Sequence, residues 1–119
     1  MFLEIYRPCI AACYACATFC DRCAVACFEG NDPQAMTRCI GLVMDCAQLS
    51  RSAAAMMSRN SEFVDTICEA CADVCSACAV ECGHHNARQC RQCAEACAQC
   101  ARLCRDMARQ TQSAGMAFA

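Results

Sequence analysis

Cysteine recurs along this chain at alternating steps of three and four residues, the spacing of one helical face, while alanine, polar and charged residues and a few larger apolar ones fill the positions between. In CIAACYACATFCDRCAVAC, residues 9–27, the repeating residue is Cys9, Cys13, Cys16, Cys20, Cys23 and Cys27. Those are the intervals of heptad a and d positions, so on a helix the six thiols share one narrow stripe. The pattern returns in CEACADVCSACAVEC, residues 68–82, with Cys68, Cys71, Cys75, Cys78 and Cys82. It returns again in CRQCAEACAQCARLC, residues 90–104, with Cys90, Cys93, Cys97, Cys100 and Cys104. Cys39 and Cys46, seven apart, also lie on one face of the segment between.

Turn residues divide the chain into four helical segments. Glu29-Gly30-Asn31-Asp32-Pro33 closes the first and opens the second, with Gly30 or Asn31 suited to a left-handed cap, Asp32 to an N-cap and Pro33 to the first helical residue. Ser58-Arg59-Asn60-Ser61 is a polar turn with Asn60 or Ser61 as N-cap, and Gly83-His84-His85-Asn86 is the third break. The predicted helices lie near 8–28, 33–58, 62–82 and 87–110, with Pro8 either in the first turn or inside a helix that begins nearer Phe2. Short connections between rods of about 30 Å favour an all-α, antiparallel up-down-up-down four-helix bundle with a cysteine-lined core. Residues 1–110 form a single domain on this reading, and residues 111–119 a frayed tail without a periodic apolar face.

Composition sharpens the picture. A chain of 119 residues is one domain's worth, and 18 cysteines point to a disulfide scaffold or a metal protein. The start, MFLEIYRPC, lacks a basic n-region, and spread charges leave no predicted membrane span, so the expected location is cytoplasmic. Thiols stay reduced there, which favours metal or redox chemistry over structural crosslinks. Helical neighbours also stand about 5–6 Å apart at Cβ, too far for a disulfide without bending the rod. Net charge is −2 and every basic residue is an arginine, with no patch of the kind that binds nucleic acid. No phosphate loop, dinucleotide fingerprint or catalytic triad is recognisable, so no enzyme is expected.

Cysteine could serve merely as a small hydrophobe at the seam. Within the two later cysteine runs, however, the large apolar residues are only Val74, Val80 and Leu103, and alanine flanks the thiols, as in Ala70-Cys71-Ala72. Sulfur-lined rails suit soft ions, meaning Cu(I), Zn(II) or an iron–sulfur cluster. Straight rails present pairs of sulfurs one turn apart, which suits near-linear Cu(I), whereas zinc asks for tetrads and iron–sulfur clusters for wrapping loops. Charge sets the loading: private pairs of thiolates would leave the axis strongly negative, while bridging thiolates at one copper per cysteine leave it near neutral. That predicts on the order of eighteen Cu(I) per chain.

Extended beyond the cysteines, the seams run to Phe2, Tyr6, Ala53, Met57, Val64 and Met107, which antiparallel packing gathers into an apolar plug at one end. The other end gathers Cys27, Cys39, Cys82 and Cys90 with His84, His85 and Met36 as candidate entrance ligands, while Asp45 reads as a surface charge. Ser50 and Ala53 occupy later seam positions of helix 2, so copper loading should be sparser toward the plug.

Eighteen cysteines stepping C-x-x-x-C and C-x-x-C along four helices, with a histidine pair at one mouth, resemble the bacterial cytosolic copper storage proteins. The resemblance covers nearly the whole chain. It implies a bundle whose interior holds many Cu(I) ions on the eighteen cysteines and an assembly as a homotetramer. Copper ions and copies of the chain are then the partners, with no nucleic acid and no membrane. Competing readings are a Zn or Cd thiolate buffer, an iron–sulfur electron carrier and a thiol redox buffer.

Overall fold

In the computed structural model, which describes residues 2–114 and side chains as far as Gln112, four helices form a rod measuring 51 × 17 × 17 Å. They are α1 (Phe2–Glu29), α2 (Thr37–Ser58), α3 (Val64–Gly83) and α4 (Arg88–Ala114). α1 packs on α2 and α4, and α3 packs on α2 and α4, so successive helices run antiparallel around a square. The predicted bundle is the observed one.

α1 begins at Phe2 and carries Pro8 in its interior. The ring lies on the exposed face, where a missing helical amide costs least. Neither Gly30 nor Asn31 takes the left-handed conformation predicted for the end of α1. Asp32 does cap, accepting the Ala35 amide at 3.3 Å, but it caps a tight 3-10 turn over Pro33–Met36, and α2 starts only at Thr37. Asn60 departs further from expectation. At φ 52° it occupies the left-handed position that closes α2, its amide bonded to the Met57 carbonyl at 3.0 Å and the Ser61 amide to Met56 at 3.0 Å. An asparagine tolerates that conformation because its short polar side chain hydrogen-bonds locally. Here the side chain accepts from the Tyr6 hydroxyl at 3.1 Å, so the loop between α2 and α3 is pinned to the start of α1.

The far end of α4 continues one turn past its predicted limit. Thr111 is buried, and its hydroxyl donates to the Met107 and Ala108 carbonyls at 3.0 and 3.1 Å. Of the predicted tail, residues 115–119 lie outside the described residues.

The expected apolar plug is present. Tyr6, Ala53, Met57 and Val64 are fully buried at one end, Met107 nearly so, and the Phe2 ring packs against that of Tyr6 at 5.9 Å, tilted by 57°. A further sequence expectation fails, that of no membrane-spanning stretch: α1 is long and apolar enough to cross a membrane by length and composition, with a window of mean hydropathy 1.4. The reason is its cysteine and alanine content. Cysteine counts as apolar, and in this fold the α1 cysteines face the bundle interior.

Because the Tyr6 hydroxyl is fully buried and its partner is on the loop across the plug, Tyr6→Phe should lower the stability of the reduced, metal-free protein by about 1 kcal/mol. Urea unfolding followed by circular dichroism measures it, with an unchanged midpoint counting against a role for this bond.

Candidate metal centre

The heptad seams put every thiol on the axis. All eighteen cysteines are buried, none more than 3 % exposed, and all are free thiols. Within a helix, sulfurs four residues apart approach to 3.7 Å for Cys71 and Cys75, 3.7 Å for Cys93 and Cys97, and 3.9 Å for Cys78 and Cys82. Between helices the approach is as close or closer: Cys46 to Cys75 at 3.2 Å, Cys16 to Cys46 at 3.5 Å, Cys16 to Cys97 at 3.6 Å.

These contacts join into one column. Toward the plug, Cys9 meets Cys104 at 3.6 Å and Cys13 meets Cys104 and Cys100 at 3.7 Å each. The step from Cys71 to Cys75 leads into the middle, and Cys78 to Cys82 leads out of it. At the open end Cys82 meets Cys39 at 3.8 Å, and Cys39 meets Cys27 at 4.0 Å. Copper binding along such a column would have a sulfur within reach at every step.

The rails interleave, and this corrects the argument from single helices. Cys16, Cys20, Cys46 and Cys97, drawn from three helices, have sulfurs within 4.8 Å of one another, as do Cys13, Cys71, Cys100 and Cys104, and Cys23, Cys27, Cys39 and Cys90. One straight rail presents pairs, but four packed rails present tetrads. The geometry therefore accommodates a tetrahedral ion as well as a chain of bridged copper ions.

Protonation follows burial and contact. Removal from water pushes the Cys39 and Cys90 thiols up from their ordinary value, and the neighbouring Cys27 and Cys82 sulfurs add to the rise. Deeper in, Cys97 is raised by its bond to Cys16 and Cys104 by its bond to Cys100, and burial adds to both.

α2 dilutes the column. Beyond Cys39 and Cys46, its fully buried seam positions are Val43, Ser50, Ala53 and Met57. The Ser50 hydroxyl lies among sulfurs, 3.7 Å from Cys71 and 3.8 Å from Cys75.

The three entrance candidates part company in the structure. Met36, half-buried at the end of the 3-10 turn, lines a cleft of about 230 Å³ with Cys27, Cys90, Ala26 and Ala87. His84 is exposed and lies outside that cleft. His85 is partly covered, its Nε2 2.8 Å from Glu81, and Glu81 also meets Arg38 at 3.3 Å. Bonding with His85, helped by Arg38, holds the Glu81 carboxyl below the usual carboxylate range. Asp45 is exposed, as expected. Sequence reasoning missed the cleft and the Glu81 partner. The small residues Gly30 and Ala87 beside the cysteines were the available signal for the cleft, and the i,i+4 spacing of Glu81 and His85 for the partner.

Comparison with known proteins agrees with this architecture. The family model described as copper storage protein matches residues 3–109. The Cu(I)-bound copper storage protein BsCsp3 of Bacillus subtilis superposes with a TM-score of 0.83 at 39% identity, over 91% of this chain and 99% of that one. A cytosolic copper storage protein from Streptomyces lividans, with five coppers, superposes with a TM-score of 0.87 at 36% identity, over 91% and 95%. An uncharacterised cysteine-rich protein, YhjQ of Bacillus subtilis, is 41% identical over 67 residues, which are 56% of this chain and 62% of that protein's length.

Burial favours the neutral thiol at Cys39 and Cys90, so their folded-state values lie above the unfolded one near 9.0. The stability this gives the metal-free bundle is complete below that unfolded value and drains away as pH rises from it toward the raised folded value. Thermal melts of reduced, metal-free protein should be flat between about pH 6 and 8 and fall above about pH 9. Melts that stayed level to strongly alkaline pH would mean that these thiols are not held neutral.

Proposed function

Because the chain belongs to the copper storage protein family, we propose that it takes up Cu(I) and holds it in bulk along the thiol column, without catalysing a reaction. The observation that carries the reading is the burial of all eighteen sulfurs on one shared axis. Each of the eighteen cysteines is assigned as a ligand, and the bundle through residue 110 as one binding domain. The cytoplasm is the assigned compartment, in keeping with the Streptomyces relative, since reduced thiols and Cu(I) coexist there.

Charge balance governs how much copper the column takes. A thiolate in this dry interior needs a cation beside it, and among the described residues no arginine is buried on the axis, so the metal must supply the charge. Two private thiolates per Cu(I) leave one negative charge per ion. Bridging thiolates at about one copper per sulfur leave almost none. Since the empty thiols are neutral, each thiolate formed releases a proton.

Entry is assigned to the end opposite the plug, where Cys27 and Cys90 border the cleft with Met36, and where His84 and His85 flank the Cys82 turn. A homotetramer is the assigned assembly, as the resemblance implies, and exposed Phe28, Met44 and Val80 give the rod's surface apolar area to bury.

The sulfur tetrads favour a second reading, a Zn(II) or Cd(II) thiolate buffer. Anaerobic titration of fully reduced protein with Cu(I), against a chromogenic chelator, separates the two. The copper reading expects on the order of eighteen equivalents; saturation by about four Zn(II) that Cu(I) fails to displace would support the zinc reading instead. In the same assay His84→Ala/His85→Ala should leave the number of equivalents unchanged and slow uptake, and unaltered kinetics would remove the histidines from the entry route.

A further inference from the structure

We propose that Ser50 is a hydrogen-bond donor to the copper-bearing thiolates, a positioning residue of the column that favours its loaded over its empty state. The proposal rests on the copper reading above and adds a role for a residue that is not a ligand.

Ser50 is fully buried on α2, four residues beyond Cys46 on the same stripe. Its Oγ lies 3.7 Å from the Cys71 sulfur, 3.8 Å from Cys75 and 3.9 Å from Cys100. A serine or threonine inside a helix commonly turns its hydroxyl back on the carbonyl one turn earlier. Thr18 does so to Tyr14 at 3.0 Å, Ser58 to Ala54 at 2.8 Å and Thr111 to Met107 at 3.0 Å. Ser50 instead faces three sulfurs contributed by α3 and α4. The other buried hydroxyls of the described residues are already engaged, Thr111 by its carbonyls and Tyr6 by Asn60. Ser50 alone among these is left for the thiols.

A neutral thiol is a weak acceptor, so in the metal-free bundle the hydroxyl has only long contacts. Copper binding replaces the thiol protons with metal and turns the same sulfurs into anionic acceptors. A hydrogen bond to an ionised group is shorter and about twice as strong as one between neutral groups. The hydroxyl therefore gains most when Cys71, Cys75 or Cys100 is a thiolate, and it draws that sulfur toward α2. It does so without charge. A cysteine at this position would add a thiolate that needs its own cation, whereas the serine stabilises the thiolates of α3 and α4 one turn beyond Cys46, the last sulfur that α2 supplies.

The test loads reduced wild type, Ser50→Ala and Ser50→Thr with Cu(I), then challenges each with increasing chromogenic chelator, after circular dichroism has shown the metal-free helices intact. All three should take up the same number of equivalents. Ser50→Ala should surrender a fraction of its copper at about tenfold lower chelator concentration, with a shifted thiolate-to-copper charge-transfer band in the ultraviolet. Ser50→Thr, which keeps the hydroxyl, should match wild type in both. If Ser50→Ala matches wild type in retention and spectrum, or Ser50→Thr loses copper as readily as Ser50→Ala, the hydroxyl has no such role. A wild-type chain that binds no Cu(I) removes the storage reading itself, a result separate from either.

Discussion

A negative charge in the middle of a helical bundle must be neutralised where it stands, because the surrounding side chains and backbone solvate it poorly and water cannot reach it. Eighteen sulfurs line the axis of this rod, and the charged side chains stay on its outside. The column therefore has two comfortable states, one with the thiols protonated and one with a cation beside every thiolate. In the proposed function, metal loading would exchange one for the other, proton for copper, and leave the net charge of the core nearly unchanged. A bundle of ordinary topology could in that way hold a large cargo on the axis that other bundles fill with leucine and isoleucine.

The same constraint accounts for the asymmetry along the rod. At one end Tyr6, Met57, Val64 and Met107 close the axis with apolar bulk, and the Tyr6 hydroxyl ties the closing loop to α1 through Asn60. At the other, thiols approach the surface beside a cleft that Met36 helps to line. α2 interrupts the sulfur lining with Val43, Ser50 and Ala53, so the column is continuous through α1, α3 and α4 and is only joined by α2 at Cys39 and Cys46. Where α2 offers a hydroxyl in place of a thiol, it contributes hydrogen bonding without contributing charge.

The fold was legible because one residue type marks the seam. Cysteine steps of three and four identify the buried face of α1, α3 and α4 without help from the rest of the sequence, and the Gly, Asn, Asp and Pro clusters locate the turns between helices. What could not be read depends on contacts between segments. Asn60 caps α2 rather than α3 because its side chain finds Tyr6, fifty-four residues away in the chain. The sulfur tetrads arise only when rails from three helices interleave, so spacing on a single helix suggested pairs. His84 and His85 are adjacent in sequence, yet Glu81 engages one and leaves the other exposed, and neither lines the cleft that Met36 shares with Cys27 and Cys90.

X-ray absorption at the copper edge of fully loaded, reduced protein tests most directly whether copper lies on the sulfur column as a bridged array. The account predicts a first shell of sulfur alone together with scattering from neighbouring copper ions. A first shell containing nitrogen or oxygen as a major component, or sulfur-bound ions with no copper neighbours, would contradict it.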